Sequence, residues 1–243
     1  METSGCVDGQ REVRDTVRAA KMPGCAAHDG VAPVNVLVFG ASGATGREIV
    51  KQALDRGHSV GAFIRDPDKF AIAHANLTVI VGDVTRSASV ERAVRGRDAV
   101  ASALGSGNSL KSQPTLIEGI RSIVRAMEHA GVRKLVYLSM LGVGDSVQQL
   151  RFLDRHIMVP LLLRNVAADH ARKEELIRRS ALDWVIVRPP RLTNGPRTGR
   201  YRSGEEVRER ALLESISRAD VAEFMVRQLA AEEYVHKAPA VLG

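Results

Sequence analysis

Three side chains in the second half of the chain carry the usual tools of proton and hydride chemistry. His170 comes first: an unperturbed imidazole, with a pKa of about 6.5, donates a proton at neutral pH. Lys173 follows three residues later on the same face of a helical pattern, within reach of a ribose or an anionic substrate. Ser139 closes the apolar run "KLVYLSM" (134–140), where a hydroxyl either faces a ligand or caps the next turn. An absence narrows the chemistry further. The tyrosines are Tyr137, Tyr201 and Tyr234, and four residues beyond them stand Leu141, Glu205 and Ala238. No tyrosine therefore has a lysine one helical turn away to lower its pKa, and dehydrogenation of a plain alcohol is not expected. Hydride transfer to a flavin, quinone or tetrapyrrole demands less. Such acceptors are already electron-poor, so the protein mainly aligns the reacting atoms.

A hydride donor would have to be held upstream. "VLVFGASGATGREIV" (36–50) runs from a β-branched strand, through a glycine turn, into an amphipathic helix. The turn reads Gly40-Ala41-Ser42-Gly43-Ala44-Thr45-Gly46. Ser42 stands where the commonest dinucleotide fingerprint has its second glycine, but the physics is shared. Glycines allow a tight turn, admit a pyrophosphate close to the backbone and let helix pack on strand. The free N–H groups and the positive helix end then face the phosphates. The second strand ends "AFIRDPDKF" (62–70). An NAD site would carry an acidic residue there to hold the ribose hydroxyls. Arg65 holds that place instead, and a guanidinium suits a 2′-phosphate by charge and by forked hydrogen bonding. NADP(H) is therefore expected over NAD(H). Asp83 and Val84, ending the third strand, are placed to flank an adenine. Leu104 and Gly105, in "ALGSG" after the fourth strand, let a ribose pass.

Six short apolar runs position these groups: 34–40, 59–65, 77–83, 98–104, 134–140 and 183–189. Helical patterns lie between them, as at 45–56 and at 115–130, where Gly131 is the stop. Near-continuous apolar strands alternating with helices predict an α/β fold, a doubly wound parallel sheet of Rossmann type in one domain over 34–243. Residues 1–33 lack an apolar period and are expected to form a poorly ordered extension, apart from a short helix at "REVRDTVRAA"; Met22 is an alternative start. "LRFLDRHIMVPLLLRNV" (150–166) is expected to pack over the substrate crevice, with a dimer or membrane-surface patch as the alternative. "PPRLTNGPRTGRYR" (189–202) is expected to wall the crevice, with Arg191 and Arg197 favouring an anionic substrate. The segment 215–230 predicts a structural closing helix that buries Val221, Phe224 and Met225.

The chain has 243 residues, 44% hydrophobic and 26% charged, which is ordinary globular composition. Its net charge of +7 suits an anionic ligand. Aromatic content of 4% argues against a stacking surface for single-stranded nucleic acid. The basic residues are interleaved with acids and match no nucleic-acid motif. Cys6 and Cys25 show no zinc or C-x-x-C spacing, so no metal is expected and a reduced, cytoplasmic setting is the economical one. No apolar run is long enough to span a bilayer.

Taken together, "GASGATG", "FIRD", "IVGDV", "EGIRSIVRAMEHAGVRKLVYLS" and "DHARKEELIRRSALDWVIVRPPRLTNGPRTGRY" resemble the atypical short-chain dehydrogenase/reductases. Within them the chain is similar to the NAD(P)H-binding, NmrA-like group that includes biliverdin-IXβ reductase/flavin reductase, over residues 34–240. The resemblance implies that Gly40, Gly43 and Gly46 cradle the pyrophosphate, with Ser42, Ala44 and Thr45 adding backbone and hydroxyl contacts. It implies that Arg65 takes the 2′-phosphate and Asp83 the adenine edge. It also places Ser139, Pro189 and Pro190 beside the nicotinamide, and His170 facing the reactive centre. Residues 148–165 depart from the shorter flavin-reductase pattern. Two functions are expected to compete: an NADPH-dependent reductase of a conjugated acceptor, and a redox-sensing NADP(H)-binding regulator without turnover.

Overall fold

The computed structural model describes residues 32–243, apart from Ser106 and Asn108. Residues 1–31 of the expected extension, with the helix expected there and both cysteines, lie outside the described residues. The strand and helix patterns read above form β1 (Asn35–Phe39), α1 (Ala44–Asp55), β2 (Ser59–Ile64), β3 (Leu77–Val81), α2 (Ser87–Val94), β4 (Ala99–Ser102), α3 (Pro114–Ala130) and β5 (Lys134–Leu138). After them come a π-helical segment at Asp154–Leu162, α4 (Arg164–Arg178), β6 (Asp183–Val187), β7 (Arg191–Thr193), β8 (Arg202–Gly204), β9 (Ser215–Ser217), α5 (Arg218–Gln228) and β10 (Ala240–Leu242).

β1 to β6 make one parallel sheet in the order β3-β2-β1-β4-β5-β6. This is the doubly wound arrangement, with its switch point between β1 and β4. Alternation along the strands splits the core in two. Val36 and Val38 face α1 and α5, whereas Leu37 and Phe39 face α2, α3 and α4. β3 departs from the expected two-sided burial. It is an edge strand, and Val79 and Val81 remain exposed.

The closing segments are built by long-range contacts. β10 pairs antiparallel with β8. Its first residue also bridges Arg188, just past β6. β7 pairs with β9. Ser217 caps α5 by accepting from the Asp220 amide at 2.9 Å, and Val221, Phe224 and Met225 are buried against α1 as expected. The 150–166 segment differs from expectation. Leu150 and Val159 pack on Gly142, beyond the end of β5. Phe152, Leu161 and Leu162 instead face solvent, and of the whole segment only Val166 lines the crevice.

Candidate active site

The glycine turn owes its form to backbone crowding. Gly40 has φ +76°, and a Cβ there would sit 2.7 Å from the Ala103 carbonyl oxygen. A Cβ on Gly46 would lie 2.0 Å from the Gly40 carbonyl oxygen. Only bare backbone lets α1 start this close to β1. Arg47 braces the turn, donating to the Ser42 carbonyl at 3.1 Å and to the Lys69 carbonyl. α1 begins at Gly43 with no side-chain cap and no acid in its first turn. Its leading amides are a ready anion site.

Two chambers meet at this turn. The outer one, about 510 Å³, is lined by Gly40, Ser42, Gly43, Arg65, Asp83 and Val84, with Leu104 and Gly105 at its floor. The inner one, about 350 Å³, shares Gly43, Leu104 and Gly105 and continues past Ala44, Thr45 and Gly46 to Ser139, His170, Pro189 and Pro190. Every cofactor-contacting residue expected from the sequence thus lines one crevice at the carboxyl ends of the strands. Arg65 stands exposed on the wall of the outer chamber, and the next residue, Asp66, outside its lining, is engaged by Lys69 at 2.8 Å. The Asp83 carboxylate accepts from the Thr85 amide and hydroxyl, each at 2.8 Å, and these bonds hold its pKa below the usual range.

Behind the inner chamber lies a buried polar chain. Ser139 Oγ donates to Glu174 Oε1 at 2.6 Å. Glu174 takes a forked pair of bonds from Arg188, at 3.1 and 2.6 Å, and the third guanidinium nitrogen reaches Asp145 at 2.8 Å. His170 Nδ1 meets the Tyr137 hydroxyl at 3.0 Å and Ser139 Oγ at 3.4 Å. Ser139 spends its one proton on Glu174. The buried Tyr137 hydroxyl has no other acceptor among the described residues, so we assign it as the donor to Nδ1 and place the ring proton on Nε2. Burial, then the charges of Glu174 and Asp169, push the Tyr137 pKa well up, so it stays a phenol. Asp169 is turned away, accepting from the Gln113 amide at 2.6 Å and from the Ser112 hydroxyl at 2.7 Å at the start of α3.

Three expectations from the sequence are corrected here. First, His170 is not a charged donor. Burial, with the nearby Lys173 charge, lowers its pKa to about 3, so the ring is neutral at pH 7. Secondly, Lys173 lines neither chamber. It is 2% exposed, and burial brings its pKa to about 8 against the pull of Asp169 and Glu174. It acts on His170 through the field rather than touching a ligand in the crevice. Thirdly, Arg197 lies by a separate cleft between α1 and α5, and Arg191 lines neither chamber. The guanidinium at the inner chamber belongs to Arg218, held by Asn194 Oδ1 at 2.7 Å.

Tyr137, Glu174, Arg188 and Asp145 were not singled out in the sequence. A signal existed. Asp169, His170, Lys173, Glu174 and Ile177 share the buried face of α4, a polar stripe where apolar residues are the norm. Arg188 ends an apolar strand, where a charge must find a partner.

The neutral state of His170 has a measurable consequence. Its folded pKa lies below its unfolded one, so the unfolded chain binds the extra proton between about pH 6.5 and 3. Stability from this group is therefore complete above the unfolded pKa and is lost as pH falls through that window, at up to about 1.4 kcal/mol per pH unit. Urea titrations at pH 7 and pH 5 should show a smaller loss for His170→Gln than for the parent. Equal losses would mean the imidazole is not held neutral.

A Rossmann sheet with an uncapped glycine-turn helix at its switch point defines an NAD(P)-binding protein. The cradle that a Cβ would fill fits a pyrophosphate and a ribose passing close to backbone. The family model described as NAD(P)H-binding matches residues 40–232, and the chain belongs to that family. Among its relatives is the photosystem II assembly factor Ycf39 of Synechocystis, 27% identical over 86% of this chain. The chain spans only 63% of that protein's length. A chloroplastic protein of Arabidopsis thaliana is 30% identical, over 92% of this chain and 81% of its own. The same fold occurs in a Veillonella parvula short-chain dehydrogenase/reductase solved with NADP (TM-score 0.70, 19% identity, 86% of this chain and 94% of that one). It occurs also in the anaerobilin reductase ChuY of Escherichia coli (TM-score 0.70, 23% identity, 85% and 96%). Among the described residues no helix is long and apolar enough to cross a membrane, and no three His, Cys, Asp or Glu are grouped to hold a metal ion.

Proposed function

We propose that the protein is an NADPH-dependent reductase that passes a hydride to a conjugated small-molecule acceptor. The observation that carries this reading is the continuity of the two chambers, from Arg65 at one end to Ser139 and His170 at the other. Gly40, Gly43 and Gly46 would receive the pyrophosphate, Arg65 the 2′-phosphate, and Asp83 and Val84 the adenine side. Ser139, Pro189 and Pro190 would border the nicotinamide, the group that supplies the hydride. The chain's own part is alignment in a pocket walled by Leu138, Met140, Val166 and Leu192. The neutral His170 offers an Nε2–H to an acceptor oxygen and stabilises charge that develops there. The proton that completes the reduction is drawn from water, since the imidazole holds no spare one at neutral pH. Arg218 favours an acceptor bearing a carboxylate or phosphate.

NADPH consumption followed against flavins, quinones and linear tetrapyrroles tests turnover. The second function, an NADP(H) sensor without turnover, is favoured by one observation: among the described residues the only charged side chain lining the inner chamber is Arg218, a guanidinium that does not give up its proton near pH 7. Tight NADPH binding with no acceptor reduced in the whole panel would leave that reading standing and remove the first.

The preference for NADPH rests on Arg65. Losing a charge-assisted bond to a phosphate costs about 1.5–3 kcal/mol. Arg65→Ala should therefore weaken NADPH binding roughly 10- to 100-fold and change NADH binding little. Fluorescence titration with both nucleotides reads this directly. A parent protein that prefers NADH, or a variant with unchanged NADPH affinity, would refute the assignment.

A further inference from the structure

The segment that fails to cover the crevice has a use of its own. Among the described residues ten large hydrophobic side chains are exposed, and seven fall in two short stretches. Phe152, Leu153, Ile157, Leu161 and Leu162 lie in or beside the π-helical segment, with Phe152 77% and Leu161 73% exposed. Leu212 and Leu213 lie on the connection between β8 and β9. The two stretches are bound to each other. The Leu213 amide donates to Asp154 at 3.3 Å, and the Arg151 amide donates to Glu209 at 3.0 Å. The Arg151 guanidinium reaches the Arg210 carbonyl at 2.8 Å. These bonds hold the two exposed apolar stretches side by side, and Leu150 and Val159 tie the first of them to Gly142, past the carboxyl end of β5.

The exposed charge around this surface is mostly positive. Arg151, Arg155, Arg164, Arg208 and Arg210 are all exposed on the same two stretches. Of the acids on these segments, Asp154 is buried and Glu209 and Glu214 are partly buried and hydrogen-bonded, while Glu205 and Glu206, just past β8 and outside the apolar tips' own stretch, are exposed. A second copy docked on this face would set these arginines against their own kind. Protruding Phe and Leu tips ringed by arginines are instead the make-up of an interfacial anchor. The tips enter the acyl boundary, and the guanidinium groups stay at the headgroups, where anionic lipid attracts them.

We infer that residues 150–164 and 208–213 form a docking face for an anionic membrane surface, holding the mouth of the crevice close to the bilayer. The face binds in the plane of the membrane and spans nothing.

Co-sedimentation of the full chain with lipid vesicles tests this. Binding is expected to vesicles containing one-third phosphatidylglycerol and not to pure phosphatidylcholine, and it should weaken as salt rises from about 0.1 to about 0.5 M. Phe152→Ser combined with Leu161→Ser should lower the partition coefficient at least about tenfold, since two apolar tips are lost. Both positions are solvent-facing, so circular dichroism melting should be unchanged and the variant remains folded. Absence of binding to the anionic vesicles overturns the inference. Binding that is indifferent to the double substitution overturns it too. So does light scattering that finds a dimer which the double substitution turns into a monomer, because the face would then be covered by a second copy.

Discussion

Gly46→Ala is expected to abolish tight NAD(P)H binding and to destabilise the fold. The added methyl would stand 2.0 Å from the Gly40 carbonyl oxygen, 2.7 Å from its carbon and 2.9 Å from the Ala41 Cα. All three atoms are backbone, so no side chain can swing aside. Either α1 moves off β1 or the turn opens, and both displace the amides proposed to receive the pyrophosphate. Overpacking of this kind costs about 1–3 kcal/mol or more, and the loss of cradle geometry should weaken NADPH at least about 100-fold. Gly57→Ala is the matched control. Gly57 has φ +81° but open space around its Cα. Alanine there costs about 1–2 kcal/mol of backbone strain and should leave nucleotide affinity alone. Calorimetric titration with NADPH, alongside thermal melts, separates the two. A Gly46→Ala protein that binds NADPH like the parent would show that the turn is only a tight connection.

Glu174→Ala is the second large effect, and it acts on the frame of the inner chamber. Arg188 is 2% exposed, and Glu174 supplies two of its three ion-pair contacts. Removing the carboxylate leaves a buried guanidinium with only Asp145, whose side chain is 75% exposed. Breaking a buried pair in this way costs about 3–5 kcal/mol. For a domain of this size that is a fall in melting temperature of roughly 6–20 °C. Ser139 loses its acceptor at the same time and becomes able to donate to His170 Nδ1, in competition with Tyr137. Arg188→Met in the Glu174→Ala background should recover part of the loss, because the stranded charge is then gone. A single variant that melts within a degree or two of the parent would mean that Asp145 and solvent suffice for Arg188.

The two substitutions fall on opposite sides of what could be read from residue order. The cradle was legible because its cause is local. Gly40, Gly43 and Gly46 lie within seven residues of each other, and a strand-to-helix turn shows its glycines at fixed spacing. The six strands were legible for a similar reason. Apolar runs of the right length bounded by turns have few alternatives, and parallel order follows from the helices between them. Arg65 could be placed because it ends the strand after the turn.

The inner chamber was only partly legible. Ser139 and His170 are 31 residues apart in sequence, and their meeting depends on how α4 lies across the end of β5. Burial then altered the chemistry. The usual imidazole pKa made His170 an acid on paper, and removal from water made it a neutral donor. Lys173, which shares its helix face, went into the protein rather than the crevice, because that face of α4 looks inward. The loop arginines failed for the converse reason: Arg191 and Arg197 are on the expected loop, but its path turns them elsewhere and brings Arg218 from α5 instead. The same holds for 150–166, where apolar content suggested a cover and the packing of Leu150 and Val159 left the other apolar side chains outside.

By itself, then, the sequence determined a parallel dinucleotide-binding sheet, a glycine turn at its first crossover and a cationic residue, Arg65, just past the second strand. These depend on backbone sterics and on spacings of a few residues. The tertiary structure alone decided which charges are buried together, which state His170 adopts and which apolar side chains meet water. Those outcomes rest on desolvation and on contacts between segments far apart in the chain, and neither is encoded at any one position.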